Sequence, residues 1–298
     1  MFNKLIVALM PLAPRFLVKM ISKRYIAGED SQAAIKTCLK LQEQGFLTTL
    51  DILGESITTE TQANEGRDAY LQLLSDIAKV DIAQNVSLKP TALGLGISGE
   101  LAFDNISSIV SKAHNSGIFI RIDMEDSPYT TRTLQIYDQL RQTYPQLGTV
   151  IQAYMRRSLD DVRSITSNNG NLRICKGIYK ESEGIAFQEK SEIQENFLAL
   201  VREMLSNKAY VGIATHDTHL IDEVLKLIDE LNVDPKHYEF QALLGVPIEK
   251  RLKELVAAGH KVRIYVPYGK EWYAYSSRRL KENPDIAGHI IKNMFLGG

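Results

Sequence analysis

Tyr275, Arg278 and Arg279 lie at i, i+3 and i+4 in the run Arg263-Ile264-Tyr265-Val266-Pro267-Tyr268-Gly269-Lys270-Glu271-Trp272-Tyr273-Ala274-Tyr275-Ser276-Ser277-Arg278-Arg279-Leu280. On a helix that spacing puts all three side chains on one arc. Two planar guanidinium groups that stay charged at any working pH form a clamp for a carboxylate, and the phenol beside them offers a flat wall. An isolated arginine pair would read as a solvated face. This pair follows directly from a strand, where a reaction centre can use it. Further polar residues recur at strand positions: Asp51, Lys89, Arg121 with Asp123, Gln152, Arg173, His216, Glu239 with Gln241, and Arg263 with Tyr265.

Those residues sit in eight short stretches: TTLDIL (48–53), VSLKP (86–90), IFIRIDM (118–124), TVIQAY (149–154), LRICKG (172–177), VGIATH (211–216), YEFQAL (238–243) and VRIYVP (262–267). In each, one alternate set is mostly apolar and the other often polar, as a strand with two unlike faces requires. Helical patterns separate them, at 58–79, 99–115, 128–144, 159–167, 185–206, 218–231 and 248–258. Eight strand–helix units predict an α/β protein of the (β/α)8 TIM-like barrel kind, apolar alternates against the helices and polar ones in the lumen. Active sites of such barrels lie at the C-terminal ends of the strands, where many of these polar residues fall. One domain over 1–298 is expected: helices in 1–45, with Gly28 and Gly45 as breaks, the barrel in 46–283, and a C-terminal helix in 284–298, near Ile286–Phe295, over the barrel mouth.

At 298 residues the chain accommodates one barrel of roughly 250 residues plus extra helices. A net charge of −1, with no basic stretch interleaved with aromatics, argues against nucleic acid as a partner. Cys38 and Cys175 match no metal-ligand spacing and agree with a cytoplasmic location; Cys175 reads as a small lumen filler. The apolar run Leu5–Pro14 is too short to span a membrane, and Arg15–Arg24 alternates apolar and basic clusters. That segment reads as an amphipathic helix packed on the barrel, or as a peripheral contact with the inner face of an anionic membrane.

Two motifs compete with this reading. Gly94-Leu95-Gly96-Ile97-Ser98-Gly99 satisfies G-x-G-x-x-G, and Asp123 lies where a ribose-binding acid would, which suggests a nicotinamide-binding doubly wound sheet. Strands of such a sheet should be apolar on both faces, and IFIRIDM is not, so a flexible loop over the barrel mouth is expected there instead. His216-Asp217-Thr218-His219 suggests a metal hydrolase, although a third ligand at a fitting strand end is missing. Arg121 and Glu239 read as lumen ion-pair formers.

The C-terminal run, together with SLKPTALG (87–94), RIDMED (121–126), VIQAY (150–154), RICKGIYKE (173–181) and IATHD (213–217), resembles the proline dehydrogenase family, most closely its short, single-function bacterial form. The resemblance covers nearly the whole barrel, in the family's order. It implies a distorted barrel and an FAD-dependent enzyme that oxidises L-proline to Δ1-pyrroline-5-carboxylate by hydride transfer to flavin N5, the first step of proline catabolism. It also implies a quinone or other acceptor at the membrane, a non-catalytic flavin-bound relative being the alternative. No stretch is long enough for the aldehyde dehydrogenase fused to some relatives, so a separate Δ1-pyrroline-5-carboxylate dehydrogenase is expected.

Carried over by position, the resemblance makes Asp123 and Arg173 the catalytic pair. Arg278, Arg279 and Lys89 would hold the proline carboxylate, Tyr265 and Tyr275 would line the ring, and Leu243 and Leu244 would form an apolar wall. Met124, Gln152, Arg173, Lys176, Gly177 and Ile178 would meet the flavin ring and phosphates, and Thr215 with His216 the adenosine end. Ile178 is bulkier than the alanine often found at its position, whereas Tyr179 keeps the family's aromatic. Strict alternation puts Arg173 and Lys176 on opposite faces, so either the strand ends at Gly177 with a twist or only one of them reaches the ring.

Overall fold

Alternating apolar and polar strands satisfy both faces when the sheet closes on itself, since helices cover the outside and polar side chains pair across the inside. The computed structural model describes residues 22–54, 57–80, 82, 85–273, 275 and 276. It is a closed parallel barrel of eight strands in sequence order. Helix α1 (Ser31–Gln42) precedes β1 (Leu47–Ile52), α2 (Glu60–Ile77), β2 (Asn85–Leu88), α3 (Gly99–Asn115), β3 (Phe119–Ile122) and α4 (Ser127–Arg141). Then follow β4 (Leu147–Gln152), α5 (Ser158–Thr166), β5 (Asn171–Cys175), α6 (Lys190–Ser206), β6 (Tyr210–Ala214), α7 (Thr218–Glu230), β7 (Tyr238–Leu243), α8 (Glu249–Ala257) and β8 (Val262–Tyr268). Pairing of β1 with β8, from Leu47 opposite Arg263 to Ile52 opposite Tyr268, closes the ring.

Packing follows the alternation. Leu172 and Ile174 are fully buried in the core, while Arg173 between them reaches side chains of other strands across the lumen. On α7, Leu220, Ile221, Val224, Leu227 and Ile228 recur at helical spacing and are all buried. Each contributes roughly 1.5–3 kcal/mol of transfer free energy, which ties the helix to the sheet. Two strand glycines make room for long lumen side chains. A Cβ at Gly148 would lie 2.8 Å from Arg121 Nη1, and one at Gly212 would lie 2.4 Å from Gln241 Nε2.

The closed ring bears out the barrel against its doubly wound rival. Several other expectations need correction. The glycine-rich run 94–99 is a set of hydrogen-bonded turns with Leu95 buried, and none of its residues lines the lumen cavity. Its glycines serve packing: Gly94 has φ +109°, and a Cβ at Gly99 would meet Arg132 Nε at 2.5 Å. Helix α6 begins at Lys190 rather than Ile185. The preceding backbone is committed elsewhere, since Phe187 N–H donates to Tyr154 O, Arg156 N–H donates to Ile185 O, and Met155 bridges Ala186. Arg121 forms no ion pair among the described residues; it donates to Thr149 O and to the Asn171 side chain. Glu239 pairs with Arg263 instead.

The expected amphipathic helix before Ser22, most of the expected last barrel helix after Ser276, and the expected C-terminal helix lie outside the described residues. Among the described residues no helix is long and apolar enough to cross a membrane.

Candidate active site

A cavity of about 310 Å³ opens at the C-terminal ends of the strands, lined by residues from β2 through β8 and by Tyr275. One wall is polar and tightly paired. Lys89, one residue past β2, donates to Asp51 Oδ2 at 2.6 Å and to Tyr265 OH at 3.3 Å. Tyr265 OH donates to Asp123 Oδ2 at 2.9 Å, and Arg173 Nη1 donates to Asp123 Oδ1 at 2.8 Å. Arg173 also uses Nε on Gln241 Oε1 at 2.6 Å and Nη2 on Ser87 Oγ at 3.1 Å. The ring of Tyr265 lies against both cations, 5.2 Å from the Arg173 guanidinium and 5.9 Å from Lys89 Nζ.

Charge in this wall is set by burial and neighbours. Burial pulls Lys89 down, but the carboxylates of Asp51 and Asp123 outweigh it and hold the lysine above its ordinary value, so it remains an ammonium. Burial raises the Asp51 carboxyl, with Lys89 opposing. Burial, then the negative charges of Asp123 and Asp51, pushes Tyr265 well above an ordinary phenol, so its O–H stays available as a donor.

The other wall is mainly apolar: Met124, Val150, Cys175, Ala214, Ala242 and Leu243. Burial pushes the Cys175 thiol up to about 11, which keeps it neutral and unreactive. Gln152 donates through Nε2 to Glu125 O at 2.8 Å, which fixes its amide against the loop after β3. Strand β5 ends at Cys175, and Gly177 takes φ +103°, a left-handed conformation that suits glycine. Lys176 lies past the strand end, where alternation no longer governs it, and borders the same cavity as Arg173. Lys176 is partly exposed and pairs with Asp217 at 3.4 Å.

The structure therefore places Lys89, Asp123, Met124, Gln152, Arg173, Lys176, Gly177, Ile178, Thr215, His216, Tyr265 and Tyr275 around one cavity. Leu243 borders it, but Leu244 does not; Leu244 packs against the hydrophobic core. Arg278 and Arg279 lie outside the described residues. His216 Nε2 accepts from Leu243 N–H at 3.1 Å, and no group of three metal-ligating side chains forms among the described residues. Asp51 and Gln241 were legible only as members of the polar strand set. Their contacts with Lys89 and Arg173 come from neighbouring or facing strands.

Comparison with known proteins identifies the family. The proline dehydrogenase family model matches residues 34–291. Proline dehydrogenase 1 of Bacillus subtilis (strain 168) is 36% identical over 282 residues, 95% of this chain and 93% of that one. Proline dehydrogenase 2 of the same strain is 38% identical over 276 residues, 93% and 91% of the two chains. Among solved structures, proline utilization A (PutA) from Bdellovibrio bacteriovorus, inactivated by N-propargylglycine, superposes with a TM-score of 0.83 at 26% identity. That match covers 89% of this chain but only 33% of the PutA chain. With a closed barrel, a paired polar wall at its C-terminal mouth and relatives matched over nearly their full length, the chain belongs to the proline dehydrogenase family of oxidoreductases.

Proposed function

We propose that this chain oxidises L-proline to Δ1-pyrroline-5-carboxylate with FAD bound in the lumen cavity, a quinone as final acceptor and a separate dehydrogenase consuming the product. The observation that carries the reading is the continuous chain Asp51–Lys89–Tyr265–Asp123–Arg173, held in one cavity beside an apolar wall.

The residues fit a flavin. A flat ring needs apolar faces, which Met124, Val150 and Ala214 offer, and polar groups at its edge, which Gln152 and Arg173 offer. A Cβ at Gly177 would run into the Tyr154 ring, so glycine is what lets this turn of the cavity lining pack against Tyr154. Lys176 supplies a cation toward phosphates, with Ile178 beside it and Thr215 and His216 toward the adenosine end. When bound, FAD supplies the two-electron acceptor for the hydride that leaves the ring carbon next to nitrogen.

The chain's own residues bind and orient. Two of the three Lys89 donors are used on Asp51 and Tyr265, which leaves one for the proline carboxylate, reinforced by Arg278 and Arg279. Tyr265 and Tyr275 confine the ring, and the apolar wall excludes water. Positioning of this kind is worth several kcal/mol of barrier. Arg173 and Lys176 place positive charge where negative charge develops on reduction.

The test is the visible spectrum of the purified protein before and after L-proline is added without oxygen. Flavin bands that bleach support cofactor, substrate and reaction together. Bands that persist discard proline or the catalytic reading, and the absence of flavin after reconstitution discards FAD.

A further inference from the structure

Gln241 stands between a group that can only donate and one that can only accept. Arg173 Nε donates to its Oε1 at 2.6 Å, and its own Nε2 donates to Glu239 Oε1. A guanidinium has no acceptor and an ionised carboxylate no donor, so one amide orientation satisfies both neighbours. The flipped amide would set its NH2 against Arg173 and its carbonyl against Glu239. The oxygen and nitrogen of a glutamine are ordinarily a matter of assignment; here the two partners dictate it.

Glu239 is itself held on every side. Arg263 donates to both its oxygens, at 2.7 Å from Nε and 3.0 Å from Nη2, and Tyr210 OH donates at 2.9 Å. Arg263 is anchored in turn on Thr48 O at 2.7 Å. Burial alone would raise the Glu239 carboxyl, but Arg263 holds it below its ordinary value, so it is ionised. Gly212 leaves the space through which the Gln241 amide reaches Arg173.

We propose that Glu239, which does not line the cavity, is a positioning residue for Arg173, acting through the Gln241 amide. An arginine side chain loses rotamer freedom when it is held, and its fork is useful only when aimed. With Nε fixed by Gln241, Nη1 is directed at Asp123 and Nη2 at Ser87. The consequence for proline turnover rests on the function proposed above; the geometric claim does not.

The experiment uses flavin-loaded, full-length protein with arginine labelled at 15Nε, the Arg173 Nε–H signal being assigned from Arg173→Lys. Exchange of that proton with water should accelerate about tenfold in Glu239→Gln, with kcat/KM for proline falling by a similar factor and bound flavin retained. In the Gln241→Leu background, adding Glu239→Gln should change neither quantity further. Tyr210→Phe removes a bond to the other Glu239 oxygen; it should lower Tm and leave the exchange rate alone. Should Glu239→Gln fail to fold, Glu239→Asp keeps a charge for Arg263 but withdraws it from Gln241, and it carries the same expectation. Unchanged exchange in the folded Glu239 variants, equal acceleration in Tyr210→Phe, or additive effects with Gln241→Leu would each overturn the proposal. A wild-type protein that does not oxidise proline removes the kinetic arm along with the proposed function, while the exchange arm still decides this one.

Discussion

Arg173 and Asp123, fifty residues apart in the chain, meet in the lumen with 2.8 Å between Nη1 and Oδ1. Both side chains are nearly buried, at 8% and 13% exposure, so solvent screens the pair little. Asp123 follows the end of β3 and Arg173 stands within β5, so curvature of the closed sheet brings them together.

Replacing Asp123 with Asn should therefore do more than remove one hydrogen bond. It leaves Arg173 buried without its counter-charge, a change of roughly 3–5 kcal/mol when a buried pair loses one partner. We expect kcat/KM for proline to fall on the order of 10²-fold and Tm to drop. Steady-state kinetics and thermal melts check this, and unaltered kinetics would remove Asp123 from the reaction.

The Lys89–Asp51 pair predicts a pH signature. A lysine whose folded pKa exceeds the unfolded value of about 10.4 contributes its stability in full below that value and loses it only as pH rises through the folded one. Wild-type proline KM should be insensitive to Lys89 between pH 6 and 9. In Asp51→Asn, burial acts on Lys89 with its main support gone, so the ammonium is lost earlier as pH rises. The KM of the variant should then climb with pH across that window; parallel profiles for the two proteins would refute the pairing argument.

Gly177→Ala places a Cβ 2.1 Å from the Tyr154 ring at a φ of +103°. Strain of this kind amounts to about 1–3 kcal/mol. Lower Tm and a smaller ratio of flavin to protein absorbance are the expected readings. Full flavin occupancy would separate Gly177 from the cofactor.

Arg278→Ala and Arg279→Ala test the sequence motif that opened the case for a carboxylate clamp. Loss of either guanidinium should raise proline KM at least tenfold, equivalent to about 1.4 kcal/mol or more, with bound flavin unchanged. Equal kinetics would dismiss the clamp.

Glu181 accepts from both Ser127 N–H and Ser127 Oγ at 2.7 Å, tying the loop after β5 to the start of α4. Glu181→Ala should destabilise by about 1 kcal/mol, the magnitude of a lost N-cap. Weaker flavin retention at unchanged proline KM would place the effect on the Lys176–Tyr179 turn, and a change confined to KM would contradict that assignment.

Much of the barrel could be read before any coordinates. Strand β7 and helix α3 run over the residues their patterns indicate, because alternation and helical periodicity report which faces are buried. The start of α6 escaped that logic: Ile185 and Ala186 look helical, yet their backbone is taken by Tyr154, Met155 and Arg156 from another loop. Arg121 escaped it as well, since carbonyl and amide oxygens of β4 and β5 take its two terminal nitrogens in place of a carboxylate. Leu243 and Leu244 are equal as residue types, and only the end of β7 decides which one borders the cavity.

By itself the sequence determined the eight-unit barrel, the polar lumen set and the family, because periodicity and motif order are one-dimensional properties. Tertiary structure alone decided who pairs with whom: Lys89 with Asp51, Arg173 with Asp123 and Gln241, Glu239 with Arg263 rather than Arg121. It also decided that Lys176 joins Arg173 at one cavity, because β5 ends at Cys175. Strand alternation states which face a side chain leaves by. Closure, register and turn geometry set the few ångströms across the lumen over which a hydrogen bond or ion pair forms.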